Sequence, residues 1–424
     1  MVIKSARVSY GEVLEVPQEP KEYLVRNAVS ITVISIWIPA ISTSTLYSQT
    51  SKILQAMDLL SISPLFYYFI ASVLNITGLK RCRQTRLLLL GPVWLFSLLS
   101  LVSSHRLSWM IGADSTFASV LVFYLLYSTK LLAFDKHAVN PEISTYHWSF
   151  VDCYRIWNNP RKLPLQLSLQ EKDGPCNSTS RARFSFNQSM KAAALWAFEH
   201  FVFQKIFIRA LGQVVVADFS PEMEMAFRLS SHQFQVRAIM SVQWIWRAYF
   251  FLEFYHSLLA IVFVVILRFD HPGDWPALFG NPMKAYSVRG FWAQFWHQLT
   301  IPTYIFYSQV VSRQLIGVQP GSSLEKTITA LLIFTISGLS HALVGWALGD
   351  AAISRDVLFF QMCFLAAAVE TAISKMKGLR RILSQLPEAL RTVAGMVWVF
   401  VFFFCMSPMW IYPKVYYALL NPVS

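Results

Sequence analysis

Residues 328–348, ITALLIFTISGLSHALVGWAL, carry a single ionisable side chain, His341. A helix needs roughly 20 mostly apolar residues to cross the hydrocarbon core of a bilayer, and this stretch meets that length. Runs of the same kind recur near 28–47, 59–79, 87–104, 113–134, 191–216, 249–268, 356–374 and 393–412. Composition agrees. Hydrophobic residues make up 55% of the chain and charged residues 14%, where a soluble domain carries about 25% charged residues. The expected fold is all-α: a polytopic integral membrane protein with about 8–10 transmembrane helices.

The net charge of +13 does not point to nucleic acid, because the cations alternate between loops. Lys80, Arg81, Arg83 and Arg86 fill one connection, and Lys136, Arg155, Arg161, Lys162, Lys172, Arg181, Arg183 and Lys191 fill the long one before the fifth run. Lys375, Lys377, Arg380, Arg381 and Arg391 fill another, whereas Lys52, Arg106, Arg228 and Arg355 are nearly alone in theirs. Cytoplasmic loops carry the Lys/Arg excess, so the N-terminus and the rich loops are expected in the cytosol. The N-terminal arm, 1–27, lacks the short apolar core and small-residue cleavage site of a signal peptide. Five scattered cysteines without a C-x-x-C pair indicate neither a disulfide framework nor a zinc site. The sequons at Asn75, Asn177 and Asn187 are expected to stay unmodified, one within an apolar run and two in the basic loop.

The fifth run is the weak one, because Glu199, His200, Lys205 and Arg209 fall inside it. Each charge at mid-bilayer costs roughly 2.5–3.5 kcal/mol on insertion scales. The segment is therefore either amphipathic at the interface or packed around a polar cavity. Residues 230–247 are also amphipathic and are expected along the surface. No internal repeat of the kind that marks many transporters is present.

Two histidines stand out. An ionisable residue inside a membrane helix is a functional hypothesis by default, and His341 is one. Ser337 lies one turn earlier on the same face, placed to orient the imidazole. Gly338, Ala342 and Gly345 allow a neighbouring helix or a substrate to approach. His297 lies in Phe291-Trp292-Ala293-Gln294-Phe295-Trp296-His297-Gln298, with Pro302 close behind. That segment is too broken for a lipid-facing span and suits a re-entrant or interfacial helix lining a cavity. Taken singly, each histidine is equally open to a structural reading: His341 bonded to another helix, His297 in an aromatic interfacial belt.

Three stretches before and around His297 carry a resemblance. They are Asp274-Trp275-Pro276-Ala277-Leu278-Phe279-Gly280, Ser287-Val288-Arg289-Gly290-Phe291-Trp292 and Trp296-His297-Gln298. In order and spacing they resemble the signature of the membrane-bound O-acyltransferase superfamily, in its wax-synthase-like branch. Ser337-Gly338-Leu339-Ser340-His341 is similar to the branch's later Ser-Gly-x-x-His block. Phe359 to Glu370, and Gly395 to Val399 with Pro408, resemble its closing helices. The likeness covers about residues 240–415; the N-terminal half shares only hydropathy. Two departures stand out: Ala277 replaces a usual proline, and Ala293-Gln294-Phe295 replaces a more basic stretch. The overall style looks like that of fungal acetyltransferases that decorate terpenoids and meroterpenoids.

The resemblance implies an intramembrane reaction chamber and no bound cofactor or metal. Acyl-CoA, most simply acetyl-CoA, enters from the cytosol as co-substrate, and a hydrophobic alcohol enters from the bilayer. It further implies His341 as the general base that takes the alcohol's proton, and His297 as the group that polarises the thioester carbonyl. Trp292 and Trp296 would wall the chamber against water. Arg289 is either a contact for CoA phosphate or an anchor on the positive side. The corresponding layout is an arm at 1–27, N-terminal helices at 28–134, a polar cytosolic loop at 135–190 and a catalytic membrane core at 191–424. An endoplasmic-reticulum membrane is the expected location. A long-chain wax-ester or sterol-ester synthase is the alternative within enzymes, and a membrane transporter the alternative outside them.

Overall fold

The computed structural model describes residues 62–107, 113–135, 149–164, 178–211, 214–225, 228–350, 352–377, 385 and 387–420. The first expected span, 28–47, the N-terminal arm and Asn177 lie outside these residues. Every regular element among the described residues is helical, and six helices are long and apolar enough to cross a membrane. The protein is an all-α, multi-pass membrane protein.

Helices α1 (Ser63–Gly78) and α2 (Arg83–Val102) form a hairpin. Helix α3 (Ala113–Thr129) continues through a π-turn at Lys130–Phe134. A short helix α4 (Phe150–Trp157) follows, opened by a capping box between Ser149 and Asp152. The Tyr127 hydroxyl donates to the carbonyl of Ile156 at 3.1 Å, which holds α4 against the end of α3.

The fifth run starts earlier than its hydropathy suggests. Helix α5 (Ser178–Ala197) passes through a π-turn at Phe198–Phe203 into α6 (Gln204–Leu211). Two of its charges are met by α7 (Ser231–Ala260). Lys191 pairs with the buried Glu253. Glu199 accepts from the Trp246 indole at 2.5 Å and faces Arg247 at 3.8 Å. A charge paired inside protein escapes much of the cost of a lone charge in lipid.

Residues 230–247 do not form a separate surface helix. They join the 249–268 run as α7, which continues through a π-turn at Ile261–Ile266. Ser230 and Gln233 form a capping box that starts the helix, and no Gly or Pro interrupts it. Some of its polar residues are answered by protein: Arg237 donates to the carbonyl of Met223.

The chain then runs irregularly over 267–287 into a hairpin. Its descending arm is α8 (Val288–Gly290) and a π-turn at Phe291–Phe295. Its ascending arm is α9 (Ile301–Val310) and a π-turn at Val311–Leu315. The arms start and finish against α10 (Ser323–Leu348) and α11 (Ser354–Ser374). These two are antiparallel neighbours, and Gly338 lets them close: a Cβ there would sit 2.8 Å from Cα of Val357. The hairpin begins at the end of α11, where Glu370 accepts from the backbone N–H groups of Val288 at 2.7 Å and Arg289 at 2.9 Å. It finishes at the start of α10, where Arg313 binds Glu325 at 2.5 Å. The end of α11 and the start of α10 lie on one side, so the hairpin enters and leaves from that side. Its base reaches deep enough for the Tyr304 hydroxyl to lie 3.0 Å from that of Ser340. The 291–300 segment is thus re-entrant, one of the two forms expected for it. Non-helical backbone at such depth persists only where protein or a cavity surrounds it. Helix α12 (Glu388–Leu420) closes the bundle, with Pro408 and Pro413 in its interior.

Candidate active site

The loop before the hairpin is held by two buried carboxylates. Asp270 accepts from the Tyr154 hydroxyl at 2.9 Å, the Trp275 indole at 3.0 Å and the Asn158 amide at 3.2 Å. Burial raises its carboxyl above the ordinary range, and the three hydrogen bonds oppose that shift. Glu253 on α7 accepts from the backbone N–H of Leu278 at 2.9 Å and of Phe279 at 3.1 Å. Gly280 donates to the carbonyl of Phe295 at 2.8 Å, and a Cβ on Gly280 would sit 1.9 Å from the carbonyl oxygen of Gln294. Only a residue without a side chain permits that approach. The Trp-Pro-x-Leu-Phe-Gly stretch is therefore a bracket clamped onto the π-turn.

The π-turn presents its rings to one aromatic cluster. Trp244 lies within 6.4 Å of Phe291, Trp292, Trp296, Phe359, Phe403 and Trp410, centroid to centroid. Trp292 and Trp296 meet at 5.4 Å. After Trp296 the backbone turns extended, which carries His297 away from the turn. The His297 ring lies 5.6 Å from Trp296 and meets Phe279 edge-on at 5.7 Å. Its Nδ1 is buried without a hydrogen-bond partner among the described residues.

His341 approaches the same cluster from α10. Its ring stacks on Phe360 at 5.0 Å and meets Trp410 at 6.0 Å, yet it retains exposed surface. Phe360 lies 5.5 Å from Trp292. The two imidazoles, 44 residues apart in the sequence, are linked through the rings of Phe360, Trp292 and Trp296. Four of the expected residues, His297, His341, Trp292 and Trp296, thus meet in one place.

The other two lie elsewhere or bond otherwise. Ser337 makes no hydrogen bond to His341; the hydroxyl of Ser340, three residues on, lies 3.0 Å from that of Tyr304. Arg289 is exposed at the start of the hairpin, on the side where the chain enters. The sequence reading missed Glu253, Asp270, Trp244 and Asp356. Asp356 is fully buried beside the cluster and accepts from the Trp410 indole at 2.6 Å and from Lys414 at 2.9 Å. A lone acid in an apolar run was the available signal for Glu253; Asp356, at the start of its run beside Arg355, gave none. Among the described residues no cluster of three or more His, Cys, Asp or Glu side chains could hold a metal ion.

Residues 275–362 match the membrane bound O-acyl transferase family. The chain is similar to the acetyltransferase nanB of Aspergillus nanangensis, 28% identical over 37% of this chain and 39% of nanB. It is 29% identical to the acetyltransferase aurG of Calcarisporium arbuscula over 42% of this chain and 44% of aurG. With the acetyltransferase fsoF of Humicola fuscoatra it shares 31% identity, over 39% of this chain and 41% of fsoF. Each match spans less than half of either protein.

Proposed function

From the match of residues 275–362 to the membrane bound O-acyl transferase family, we propose that this protein moves an acyl group from acyl-CoA to the hydroxyl of a hydrophobic alcohol. The convergence of His297 and His341 on one aromatic cluster, inside that segment, carries the reading. The donor in this reading is acetyl-CoA, in keeping with the similar proteins, which are named acetyltransferases. The acceptor is a terpenoid or meroterpenoid alcohol, as the sequence resemblance implies, and the membrane is that of the endoplasmic reticulum.

A hydroxyl is a weak nucleophile toward a thioester until a base takes its proton. His341 is that base. As the acceptor oxygen bonds to the carbonyl carbon, its proton passes to the imidazole. The carbon–sulfur bond then breaks, and the proton goes to the departing thiolate to give free CoA. His297, whose ring has an unpartnered buried nitrogen, donates to the carbonyl oxygen as negative charge gathers there. The tryptophans keep water, the competing nucleophile, away from the thioester. A transporter reading lacks any comparable constellation.

Purified protein incubated with acetyl-CoA and a panel of terpenoid alcohols is expected to release free CoA together with ester. No thioester consumption with any alcohol would overturn the reading. Acetyl-CoA is expected to give a higher kcat/KM than palmitoyl-CoA. The reverse order would move the protein to the wax- or sterol-ester alternative.

A further inference from the structure

Helix α11 presents three side chains to the site from a single turn. Asp356, Phe359 and Phe360 stand at i, i+3 and i+4, so they share a face. Phe360 carries the His341 ring, stacked at 5.0 Å and 21°. Phe359 carries the Trp410 ring of α12, stacked at 4.4 Å and 14°. Asp356 accepts the hydrogen bond of that same indole at 2.6 Å. Trp410 in turn stands perpendicular to His341, at 6.0 Å and 87°. The imidazole thus sits in a corner, with a face from Phe360 and a wall from Trp410, and Asp356 gives that wall its polar anchor.

Burying that acid is unfavourable, and the bonds it makes say what it is for. Its Oδ1 takes both the Trp410 indole and the Lys414 ammonium, the latter at 2.9 Å. Its Oδ2 is buried without a hydrogen-bond partner among the described residues. Lys414 lies one turn beyond Trp410 on α12 and also reaches Asp350 at 3.2 Å. An ion pair buried in this way adds little to stability once desolvation is counted, so joining α11 to α12 is a poor account of it. Nor does the aromatic cluster need its indoles anchored. The indole nitrogens of Trp244 and Trp292, in the same cluster, are buried without partners. The anchor is supplied at the ring that meets His341. An indole held by its N–H and stacked on one face cannot turn about its side-chain bonds.

We propose that Asp356 is the positioning residue of His341. It acts through Trp410 and touches no substrate. The acid fixes the indole, and the indole and Phe360 together fix the plane of the imidazole that takes the alcohol's proton. This rests on the acyl-transfer reading, in which His341 is the base. In a Ser-His-Asp triad the acid bonds the imidazole directly. Here it works at one remove, through an aromatic wall. The effect on rate is the same in kind, because a misplacement of about 1 Å at the reacting group can cost about 10²-fold.

The test compares variants of the full-length protein. Asp356→Leu and Trp410→Phe are each expected to lower kcat about 10²-fold, with the KM values for acetyl-CoA and the alcohol unchanged. The double variant should lose no more than either alone, because the two residues act in series. Asp356→Asn should recover most of the rate, since its amide oxygen still accepts from the indole. Trp410→Phe keeps a ring on Phe359 and leaves the acid its ammonium, so it serves if Asp356→Leu does not fold. Lys414→Met removes the ion pair and keeps the indole bond, so it is expected to lower thermal stability and keep kcat. Losses that multiply in the double variant, or a loss in Lys414→Met that matches Asp356→Leu, overturn the proposal and leave Asp356 a tie between helices. A second measurement needs no turnover. Diethyl pyrocarbonate should modify His341, read by mass spectrometry of its peptide, faster in Asp356→Leu and Trp410→Phe than in wild type or Asp356→Asn, because the ring is released from its corner. Equal rates overturn the proposal, in active or inactive protein. Absence of turnover with every alcohol, with those rates still different, condemns the acyl-transfer reading instead.

Discussion

Neither histidine is held by a hydrogen bond in the way a structural imidazole would be. His297 has a buried nitrogen without a partner, and His341 only stacks on Phe360 and Trp410. A structural histidine, once removed, leaves its partner unsatisfied at a cost of about 1–3 kcal/mol. His341→Ala strands no such partner, so it is expected to abolish ester formation with thermal stability unchanged. His341→Asn should be equally inactive, because an amide accepts no proton at neutral pH. His297→Asn is expected to keep part of the rate, since an amide still donates a hydrogen bond. Near-normal turnover in His341→Ala would remove that residue from the mechanism. Equal rescue by asparagine at both positions would keep the site and overturn the division of roles.

The hairpin is precise because other elements fix it at each end and at its turn. Glu370 fixes its start, Arg313 and Glu325 its finish, and the Gly280 bracket its π-turn. A methyl group at Gly280 would meet a backbone carbonyl at 1.9 Å, so the backbone must shift. Gly280→Ala is therefore expected to cost about 1–3 kcal/mol and to move His297 enough to lower kcat sharply. Gly91 on α2 is the control, for a Cβ there meets nothing within 4 Å. Gly91→Ala should raise stability by about 0.5–1 kcal/mol with activity unchanged; matching losses in the two variants would mean that Gly280 is not a special contact. The hairpin was partly legible. The aromatic run, its histidine and the nearby proline spoke for a broken segment, but not for its return to the side from which it came. That depends on pairings such as Glu370 with Val288, which lie 82 residues apart. Residues 230–247 misled for a related reason. A helix whose polar residues are answered by other helices shows the same pattern as one whose polar face meets water, so Trp244 was read at the surface and lies at the centre of the cluster.

The whole molecule separates its charges. On the hairpin's side lie the α1–α2 turn with Lys80 and Arg81, and the α3 end, where Arg86 donates to the carbonyl of Asp135 at 3.3 Å. The same side holds α4, where Arg155 donates to the carbonyl of Phe269 at 2.7 Å. Lys284, Arg289, Lys375 and Lys377 lie there as well. On the far side, cations meet acids: Arg355 binds Glu224 at 2.7 Å, and Lys414 lies 3.2 Å from Asp350 and 2.9 Å from Asp356. Contacts in space thus gather onto one face the basic loops that alternate along the sequence. An excess of Lys and Arg marks the cytosolic face, and CoA is soluble there. The hairpin would then open where the donor is. Native Cys82, exposed between α1 and α2, reports on this directly. In a variant keeping only that cysteine, a membrane-impermeant maleimide should label Cys82 in sealed microsomes without permeabilisation. A cysteine placed at His105, in the turn at the opposite end of α2, should react only after detergent opens the vesicles. The inverse pattern would turn the molecule over. The hairpin would then open to the lumen, and the reading of a cytosolic donor would not survive.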